Sequence, residues 1–394
     1  MSKIEIKDLY LIFGHEKQKA LKMLKKDKSK EEILKDTGCT VGVKDANLSI
    51  NEGEFFVIMG LSGSGKSTLL RCINRLIRPT TGQVLVNGVD ISKISEKELL
   101  QVRRKELAMV FQNFGLLPHR SVLSNIAFGL ELQGVKKEER AKKAMESMML
   151  VGLKGYENQM VGELSGGMQQ RVGLARALAN NPEVLLMDEA FSALDPLIRV
   201  QMQDELLALQ SKMKKTIVFI THDLSEAIKL GDRIAIMKDG EVVQVGTSEE
   251  ILTEPANDYV ARFVENVDRS KIITASSLMI DKPLVARLKN ITVLPVIDAD
   301  DKLVGEVRLN DLLKLRSKQE KSIETIVRTE VHSVLEDTVL EDILPLMTKS
   351  NSPVWVIDET HEFLGTIPLS SLIIEVTGKD KEEINEIIQN AIDL

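Results

Sequence analysis

A glycine-rich loop between an apolar strand and an amphipathic helix constrains this chain more than any other feature. Residues 60–68 read Gly-Leu-Ser-Gly-Ser-Gly-Lys-Ser-Thr, after an apolar run at 54–59 and before a helically spaced apolar run at 69–77. This is the context that the phosphate-binding pattern G-x-x-x-x-G-K-[ST] requires. Glycines let successive backbone N–H groups turn inward, and the helix N-terminus adds positive potential. The sequence therefore predicts a nucleotide-phosphate site.

The side chains of this loop have predicted ligands. Lys66 is expected to reach the β- and γ-phosphates, and the Ser67 hydroxyl is expected to hold Mg²⁺. The residues predicted to contact the nucleotide are Gly60, Ser62, Gly63, Ser64, Gly65, Lys66, Ser67 and Thr68. The loop alone is equally typical of kinases, GTPases and motor ATPases.

Strand and helix patterns alternate along the first two thirds of the chain. The predicted strands are 3–13, 43–50, 54–59, 83–88, 107–111, 184–187, 216–221 and 233–237, with helices at about 95–105 and within 121–154. Such alternation predicts an α/β fold with a largely parallel sheet and helices packed against it. Because ligands bind beyond the carboxyl ends of parallel strands, we expect Gly60, Gln112, Asp188 and His222 to lie together there.

A carboxylate pair follows one of these strands. Asp188 and Glu189 come directly after the apolar run 184–187. Asp188 is expected to bind Mg²⁺ through its waters, and Glu189 to orient the water that attacks the γ-phosphate. The alternative, an acidic pair on the surface, is disfavoured by the apolar run. The pair therefore favours a nucleotide-hydrolysing enzyme.

Composition limits the partners and the compartment. A chain of 394 residues is long enough for two or three domains, and 52 basic against 59 acidic residues, net −7, predict no nucleic-acid partner. Cys39 and Cys72 have no paired spacing, which predicts neither a disulfide nor a metal site and favours a reducing cytosol. We find no signal-peptide pattern and no apolar run long enough to span a bilayer.

Two segments lie outside this α/β pattern. The lysine-rich stretch 16–36 is predicted to be a solvated amphipathic helix, with contact to a partner or to lipid head groups as the alternative. From residue 267 a unit of about 60 residues repeats: 296–298, 303–305 and 309–313 correspond to 356–358, 363–365 and 369–373. Each copy is predicted as strand, acidic turn, strand and helix, and two such small units should pack as one module.

These observations divide the chain into domains. The predicted boundaries are 1–266 for a nucleotide-binding cassette with a helical subdomain at about 115–175, 267–378 for the repeat module with copies at about 267–320 and 328–378, and 379–394 for a helical tail.

The run 164–171, Leu-Ser-Gly-Gly-Met-Gln-Gln-Arg, resembles the signature of ATP-binding-cassette (ABC) ATPases. The resemblance implies a P-loop ATPase cassette that binds ATP and Mg²⁺ and pairs with a second copy of itself. The signature of one copy would face the phosphate loop of the other, and Ser165 with the amides of Gly166 and Gly167 at a helix start would suit an anion. The signature residues implied to contact nucleotide are Ser165, Gly166, Gly167 and Gln169.

The same resemblance assigns roles to other residues. Gln112 would contact Mg²⁺ and the membrane partner, Asp195 would lie in the loop that crosses the dimer seam, and His222 would be the switch histidine near the γ-phosphate. Phe13 is the implied platform for adenine, with Tyr10 as its rival. The implied catalytic residues are Glu189 and His222. The implied metal contacts are Ser67, Gln112 and Asp188.

A narrower resemblance comes from residues 36–45 and 111–122, which are similar to the ATPase subunits of bacterial glycine betaine/proline betaine importers. The repeat module resembles the cystathionine-β-synthase (CBS) pair that this family carries. The resemblance implies a subunit at the cytoplasmic face of the bacterial membrane, bound to a permease with a substrate-binding domain and close to the membrane surface. The alternatives are a cassette ATPase for another small solute and a non-transport cassette ATPase.

The CBS pair departs from the family's ribose-binding turn, G-x-[IV]-[ST]-x-x-D. The first copy, 305–311, keeps Asp311 but has Arg308 at the hydroxyl position, and the second, 365–371, ends in Ser371 instead of Asp. Three hypotheses follow: binding of a nucleotide such as cyclic di-AMP with Arg308 on its phosphate, direct sensing of ionic strength through screened contacts, or a purely stabilising module.

Overall fold

The computed structural model describes residues 2–265, 273–281, 293–308, 311, 326–349, 353–368 and 371–372. The chain divides into two compact units, 1–266 and 267–394, and each has its own apolar core. The helix predicted at 379–394 lies outside the described residues, as do most residues of the helices predicted at 309–313 and 369–373.

The first unit alternates strands and helices over most of its length. Its strands are β1 (Ser2–Phe13), β2 (Thr40–Asn51), β3 (Phe55–Met59), β4 (Thr81–Val86), β5 (Val89–Asp90), β6 (Leu107–Val110), β7 (Val184–Asp188), β8 (Thr216–Thr221), β9 (Arg233–Lys238) and β10 (Glu241–Gly246). Its helices are α1 (Lys17–Leu24), α2 (Lys30–Thr37), α3 (Lys66–Ile73), α4 (Glu96–Lys105), α5 (Val122–Ile126), α6 (Phe128–Leu132), α7 (Lys137–Leu150), α8 (Gly166–Leu178), α9 (Pro196–Met213), α10 (Leu224–Leu230), α11 (Ser248–Thr253) and α12 (Asp258–Val264).

The main sheet has the order β10-β9-β3-β8-β7-β6. All neighbouring pairs are parallel except β9 and β10. Every residue of β3, β7 and β8 is buried, as expected of parallel strands covered on both faces. The predicted largely parallel sheet is confirmed, and its carboxyl edge carries the candidate site.

A second sheet is antiparallel, with the order β2-β1-β4-β5. The sequence patterns predict β1, β2 and β4 but not the short β5, and they do not separate these strands from the main sheet. Their apolar side chains meet those of β3 and α3 in one core, in which Ile4, Ile6, Phe56, Ile58 and Leu69 are buried. This core holds α3, and therefore the glycine loop before it, between the two sheets.

The lysine-rich stretch forms two helices, α1 and α2, where the sequence pattern predicts one. Asp27 takes a left-handed conformation, φ 54°, after α1 ends, and Ser29 starts α2 with a capping box to Glu32. A short polar linker with its own cap is sufficient to restart a helix. The apolar side chains of both helices pack on the ends of β1 and β2, in a cluster of Ile12, Ala20, Leu21, Leu24, Ile33, Cys39 and Val41.

The second unit is built from short strands and helices. Its elements are α13 (Ala275–Leu278), β11 (Ile280–Asp281), β12 (Val293–Ile297), β13 (Leu303–Arg308), β14 (Ser333–Leu335), α14 (Leu340–Lys349), β15 (Val354–Ile357) and β16 (Phe363–Ile367). The sheets have the orders β11-β16-β15-β14 and β12-β13. No helix formed by the described residues is both long enough and apolar enough to cross a bilayer.

The acidic turns of the two repeats have the same geometry. Asp298 and Asp358 each use Oδ1 to accept hydrogen bonds from the backbone N–H groups two and four residues later, at 2.8 to 2.9 Å. These bonds close the turn between β12 and β13 and the turn between β15 and β16. The repeated sequence pattern therefore encodes a repeated hairpin.

The two hairpins also bind each other. Leu303 N–H donates to the His361 carbonyl at 3.1 Å, and Phe363 N–H donates to the Asp301 carbonyl at 2.9 Å. Beneath them, Trp355 Nε1–H donates to Glu306 Oε2 at 3.0 Å, with both residues buried. The two copies form one module, held by reciprocal bonds.

Candidate functional site

The glycine loop 60–65 joins β3 to α3 and requires glycine at both ends. Gly60 and Gly65 have φ values of 148° and 101°, which L side chains rarely adopt. A Cβ atom at Gly60 would lie 2.2 Å from the Met237 carbonyl oxygen, and one at Gly65 would lie 2.5 Å from the Gly42 carbonyl oxygen. The loop is therefore pressed against neighbouring backbone, with α3 beginning directly after it.

The polar groups of the loop fit a polyphosphate. Lys66 Nζ is buried and donates to the carbonyl oxygens of Gly60 at 2.8 Å and Leu61 at 3.1 Å. Burial lowers the pKa of Lys66, partly offset by the carboxylates of Glu189 and Asp188. Ser64 Oγ is buried and has no hydrogen-bond partner among the residues that the structure describes. An anion on this loop would satisfy both groups.

Two residues predicted to bind a metal, Ser67 and Asp188, lie beside the loop. Ser67, in the first turn of α3, donates from Oγ to Asp188 Oδ1 at 2.7 Å. Arg71, one turn later on α3, donates to Asp188 Oδ2 at 3.1 Å. A hydroxyl and a carboxylate at this distance are oxygen donors of the kind that Mg²⁺ takes together with phosphate oxygens. Ser67 and Asp188, each predicted to bind Mg²⁺, are thus brought together, and Arg71 is a contact that the sequence patterns did not indicate.

Glu189 is the centre of the remaining polar contacts. Its Oε2 accepts from Gln112 Nε2 at 3.2 Å and lies 3.5 Å from His222 Nδ1, while Oε1 lies 3.8 Å from Lys66 Nζ. Its φ is 45°, a strained conformation for a residue with a side chain, and such strain is concentrated at functional sites. The expected meeting of Gly60, Gln112, Asp188 and His222 at the carboxyl edge of the sheet is confirmed by these contacts.

The two aromatic candidates for adenine stacking differ in exposure. Phe13 is 41% exposed at the end of β1, and a Cβ at Gly42 would lie 2.8 Å from its ring and 3.1 Å from the Thr68 methyl group. Tyr10 is half-buried against the cluster under α1 and α2, and its pKa is raised by burial and by Asp45. The geometry favours Phe13, because its ring is open to solvent next to the start of α3.

The signature segment starts a helix, as predicted. Ser165 is the N-cap of the 13-residue α8, and its hydroxyl accepts from Met168 N–H at 3.4 Å. Gly166 and Gly167 form the first turn, and Gln169 Nε2 donates back to the Leu164 carbonyl at 3.0 Å. None of the hydrogen bonds found in the described part of the chain joins this segment to the glycine loop, so its nucleotide role stays a prediction.

The loop after Glu189 leads into α9. Asp195 is its exposed N-cap. Ser192 Oγ lies 3.3 Å from Gln112 Nε2 and donates to the Glu189 carbonyl at 2.9 Å. Ser192 thus connects this loop to the backbone of Glu189. A serine three residues after a carboxylate carries no sequence signal that would have identified this contact.

A groove of about 380 Å³ opens beside the Gln112 segment. Its walls include Arg103, Phe111, Gly115, Phe128, Arg176 and Asn180. Phe111 is 37% exposed, and Arg103 donates to the backbone carbonyls of Asn74 and Arg75 at 2.9 to 3.0 Å. The groove combines aromatic and cationic surface next to a residue that contacts Glu189.

For Arg308 and Asp311 of the second unit, the structure gives position and exposure. Arg308 is exposed at the end of β13, opposite Val293 of β12. Asp311 is half-buried. The ligand predicted for them stays a prediction.

Comparison with known proteins adds independent observations. The family description "ABC transporter" matches residues 43–192, and "CBS domain" matches residues 269–318 and 323–378. The chain is 51% identical over 393 residues to the glycine betaine/carnitine transport ATP-binding protein GbuA of Listeria monocytogenes serotype 1/2a (strain 10403S), covering 96% of this chain and 99% of that protein.

Further similarity extends to other bacteria and to a solved structure. The chain is 50% identical over 399 residues to the glycine betaine/proline betaine transport system ATP-binding protein ProV of Escherichia coli (strain K12), covering 97% of this chain and 99% of that protein. A dimeric ATP-binding cassette solved in a post-hydrolysis state with ADP and Pi is 34% identical, with a TM-score of 0.53, over 62% of this chain and 98% of that one.

Proposed function

This chain belongs to the ABC transporter ATP-binding proteins, and on that premise we propose that it powers import of glycine betaine or a related quaternary-ammonium osmolyte through a partner permease. The chain is a transport ATPase, and its cassette carries the ATP site. The observation that carries the proposal is the meeting of Lys66, Asp188, Glu189 and His222 at one sheet edge, in a chain about half identical to betaine-transport subunits over nearly its full length.

Each residue of the site has a proposed task in binding ATP. The amides of the loop 60–65 and Lys66 hold the phosphates, and Phe13 stacks on the adenine. Ser67, Asp188 and Gln112 hold Mg²⁺, which when bound neutralises charge on the phosphoryl oxygens. Ser64 Oγ gains a phosphate oxygen as the acceptor that it lacks among the described residues.

Hydrolysis is assigned to Glu189 and His222. The Glu189 carboxylate orients the attacking water and takes its proton at an oxygen 3.5 Å from His222 Nδ1. Gln112 donates a hydrogen bond to this carboxylate, so the carboxylate is oriented before ATP arrives.

A second copy completes the site. ABC ATPase cassettes dimerise, and the solved relative is a dimer. We assign Ser165, Gly166, Gly167 and Gln169 of the partner copy to the γ-phosphate side of each ATP, with Asp195 at the seam. Support comes from the start of α8, whose free N–H groups suit an anion.

ABC ATPases work with membrane permease subunits, and the groove beside Gln112 is the proposed docking place. A permease segment seated on Phe111 and Gly115 would move the residues next to Gln112, and thereby report permease conformation to the ATP site. We further propose that the permease carries the substrate-binding domain and that this chain lies at the cytoplasmic face of the membrane.

The test is solute-stimulated ATPase activity in a reconstituted complex. The chain is co-expressed with its membrane partner, purified as a complex and placed in liposomes, and phosphate release is followed with glycine betaine, carnitine, choline or proline. We expect glycine betaine to stimulate turnover. Stimulation by another solute alone would refute the betaine assignment, and solute-independent activity in every preparation would refute transport coupling.

Regulation by the CBS pair is the finer part of the proposal. Arg308, exposed at the end of β13, is assigned to a phosphate of a nucleotide such as cyclic di-AMP, with Asp311 nearby in sequence. The competing hypothesis is ionic-strength sensing at the membrane surface. Calorimetric titration of cyclic di-AMP into the full chain and into an Arg308→Ala variant separates them, because absence of heat in both would discard the nucleotide.

A further inference from the structure

Arg176 of α8 is bound to the loop that follows Gln112. Its guanidinium donates from Nη1 to the Gly115 carbonyl at 2.7 Å and from Nη2 to the Phe114 carbonyl at 2.9 Å. Both acceptor residues are left-handed, with φ values of 58° and 56°. The fork of Arg176 therefore closes on a turn whose non-glycine member is strained.

The charge of Arg176 is compensated by backbone alone in the described part of the chain. None of the ion pairs between described residues includes Arg176, and burial lowers its pKa. Arg176 is half-buried, and a guanidinium partly removed from water is stabilised where its hydrogen bonds are well made. Here they are made to the turn at 114–115.

The turn also packs directly on α8. Gly173 precedes Arg176 by one helical turn, and a Cβ at Gly173 would lie 3.7 Å from the Phe114 carbonyl oxygen. Gly173 therefore leaves room for little more than a methyl group beside the carbonyl that Arg176 binds one turn later. This leaves the turn little freedom to move independently of the helix.

The helix that holds this turn is the one that begins at the signature serine. Ser165 caps α8 eleven residues before Arg176, a rise of about 16 Å at 1.5 Å per residue. Gln112, two residues before Phe114, contacts Glu189 at 3.2 Å. One helix therefore connects a segment facing a second copy with the residue that faces the chain's own catalytic carboxylate.

We propose that Arg176 is a positioning residue that fixes the 112–115 segment on α8, so that Gln112 and the signature segment move as one body and Gln112 is held ready for Mg²⁺. This inference rests on the proposed assignment of Gln112 to the metal.

The experiment compares two arginines of the same helix. Arg176→Gln and Arg176→Lys are prepared in the full chain, with Arg171→Gln as the matched control. Arg171 likewise donates to a carbonyl, that of Val151 at 2.9 Å, and pairs with Glu205, but it does not contact the 112–115 segment through any hydrogen bond of the described residues. Gln112→Ala is the reference for loss of the metal contact.

Two readouts separate positioning from general stability. Affinity for a fluorescent ATP analogue is measured with Mg²⁺ titrated from zero, and amide hydrogen exchange is followed over residues 111–117. For Arg176→Gln we expect unchanged affinity without Mg²⁺, a rise of about tenfold in the half-saturating Mg²⁺ concentration, as for loss of a partner that orients a metal ligand, and faster exchange. Arg176→Lys, which keeps the positive charge and a donor nitrogen on a long side chain, should recover part of both.

The control decides the outcome. Equal Mg²⁺ dependence and equal exchange in Arg176→Gln and Arg171→Gln would overturn the proposal. If Gln112→Ala itself leaves the Mg²⁺ dependence unchanged, the assignment of Gln112 to the metal is overturned, whatever Arg176 does to the exchange rates.

Discussion

Replacement of Glu189 by glutamine is the perturbation that most directly tests the ATP site. The substitution keeps the shape of the side chain. It should also keep the left-handed backbone at φ 45°, since glutamate and glutamine are equally disfavoured in that conformation. It removes the carboxylate that lies 3.5 Å from His222 Nδ1 and 3.8 Å from Lys66 Nζ. The change is therefore confined to charge and proton acceptance.

We expect Glu189→Gln to slow ATP turnover without weakening ATP binding. Loss of a general base slows turnover by about 10²- to 10⁴-fold, which corresponds to about 3 to 5 kcal/mol of barrier. Binding should not weaken, because the carboxylate attracts Lys66 by a bare Coulomb term of about 4 kcal/mol at an effective dielectric constant of 20. Its removal leaves more of the Lys66 charge for the phosphates.

The assay follows both quantities in one preparation. Phosphate release at saturating ATP gives turnover, and fluorescence titration with an ATP analogue gives affinity. Light scattering with Mg-ATP should show that the variant accumulates as a dimer, since hydrolysis no longer separates the copies. Glu139→Gln is the matched control, because Glu139 pairs with Lys143 on α7 and is exposed.

The reasoning about Glu189 would be refuted by turnover within threefold of the unchanged chain. It would also fail if affinity for ATP fell together with turnover, because the carboxylate would then be holding the loop together instead of acting on water.

Three further results are expected. Phe13→Ala should weaken ATP binding by about 1 to 3 kcal/mol, the contribution of stacking a base on an aromatic ring. Tyr10→Leu, which also removes an aromatic ring, should leave calorimetric affinity unchanged; the reverse result would exchange their roles. Because burial lowers the pKa of Lys66 from 10.5, ATP affinity should decline as pH rises at values below 10.5, since the deprotonated amine no longer attracts phosphate, and Lys66→Arg should flatten this decline. Burial raises the pKa of Cys72 to about 12, so iodoacetamide should modify this thiol only after denaturation, and rapid labelling of the native chain at pH 8 would contradict its burial.

Local patterns were sufficient for much of the site. The glycine loop, the carboxylates at the end of β7 and the serine before α8 each depend on a few consecutive residues, and each forms the predicted local structure. The acidic turns at Asp298 and Asp358 belong to the same class, because a carboxylate that binds the next backbone amides closes its own hairpin.

Helix boundaries and the assignment of strands to sheets could not be predicted from the sequence patterns as reliably. The apolar spacing at 16–36 predicted one helix, whereas the capping box of Ser29 with Glu32 starts a second one. The sequence also did not distinguish the antiparallel sheet of β1, β2 and β4 from the main sheet, because the strands of both sheets have similar apolar sequence patterns.

What the amino-acid sequence determined by itself is the chemistry: which groups bind phosphate, which carry negative charge, and which turns repeat. What only the tertiary structure decided is their partnership, such as Arg71 with Asp188, Ser192 with Gln112 and Arg176 with the turn at 114–115. The physical reason is that a hydrogen bond across 60 or more residues depends on how sheets and helices stack. That stacking is set by burial of many apolar side chains together, and no short pattern encodes it.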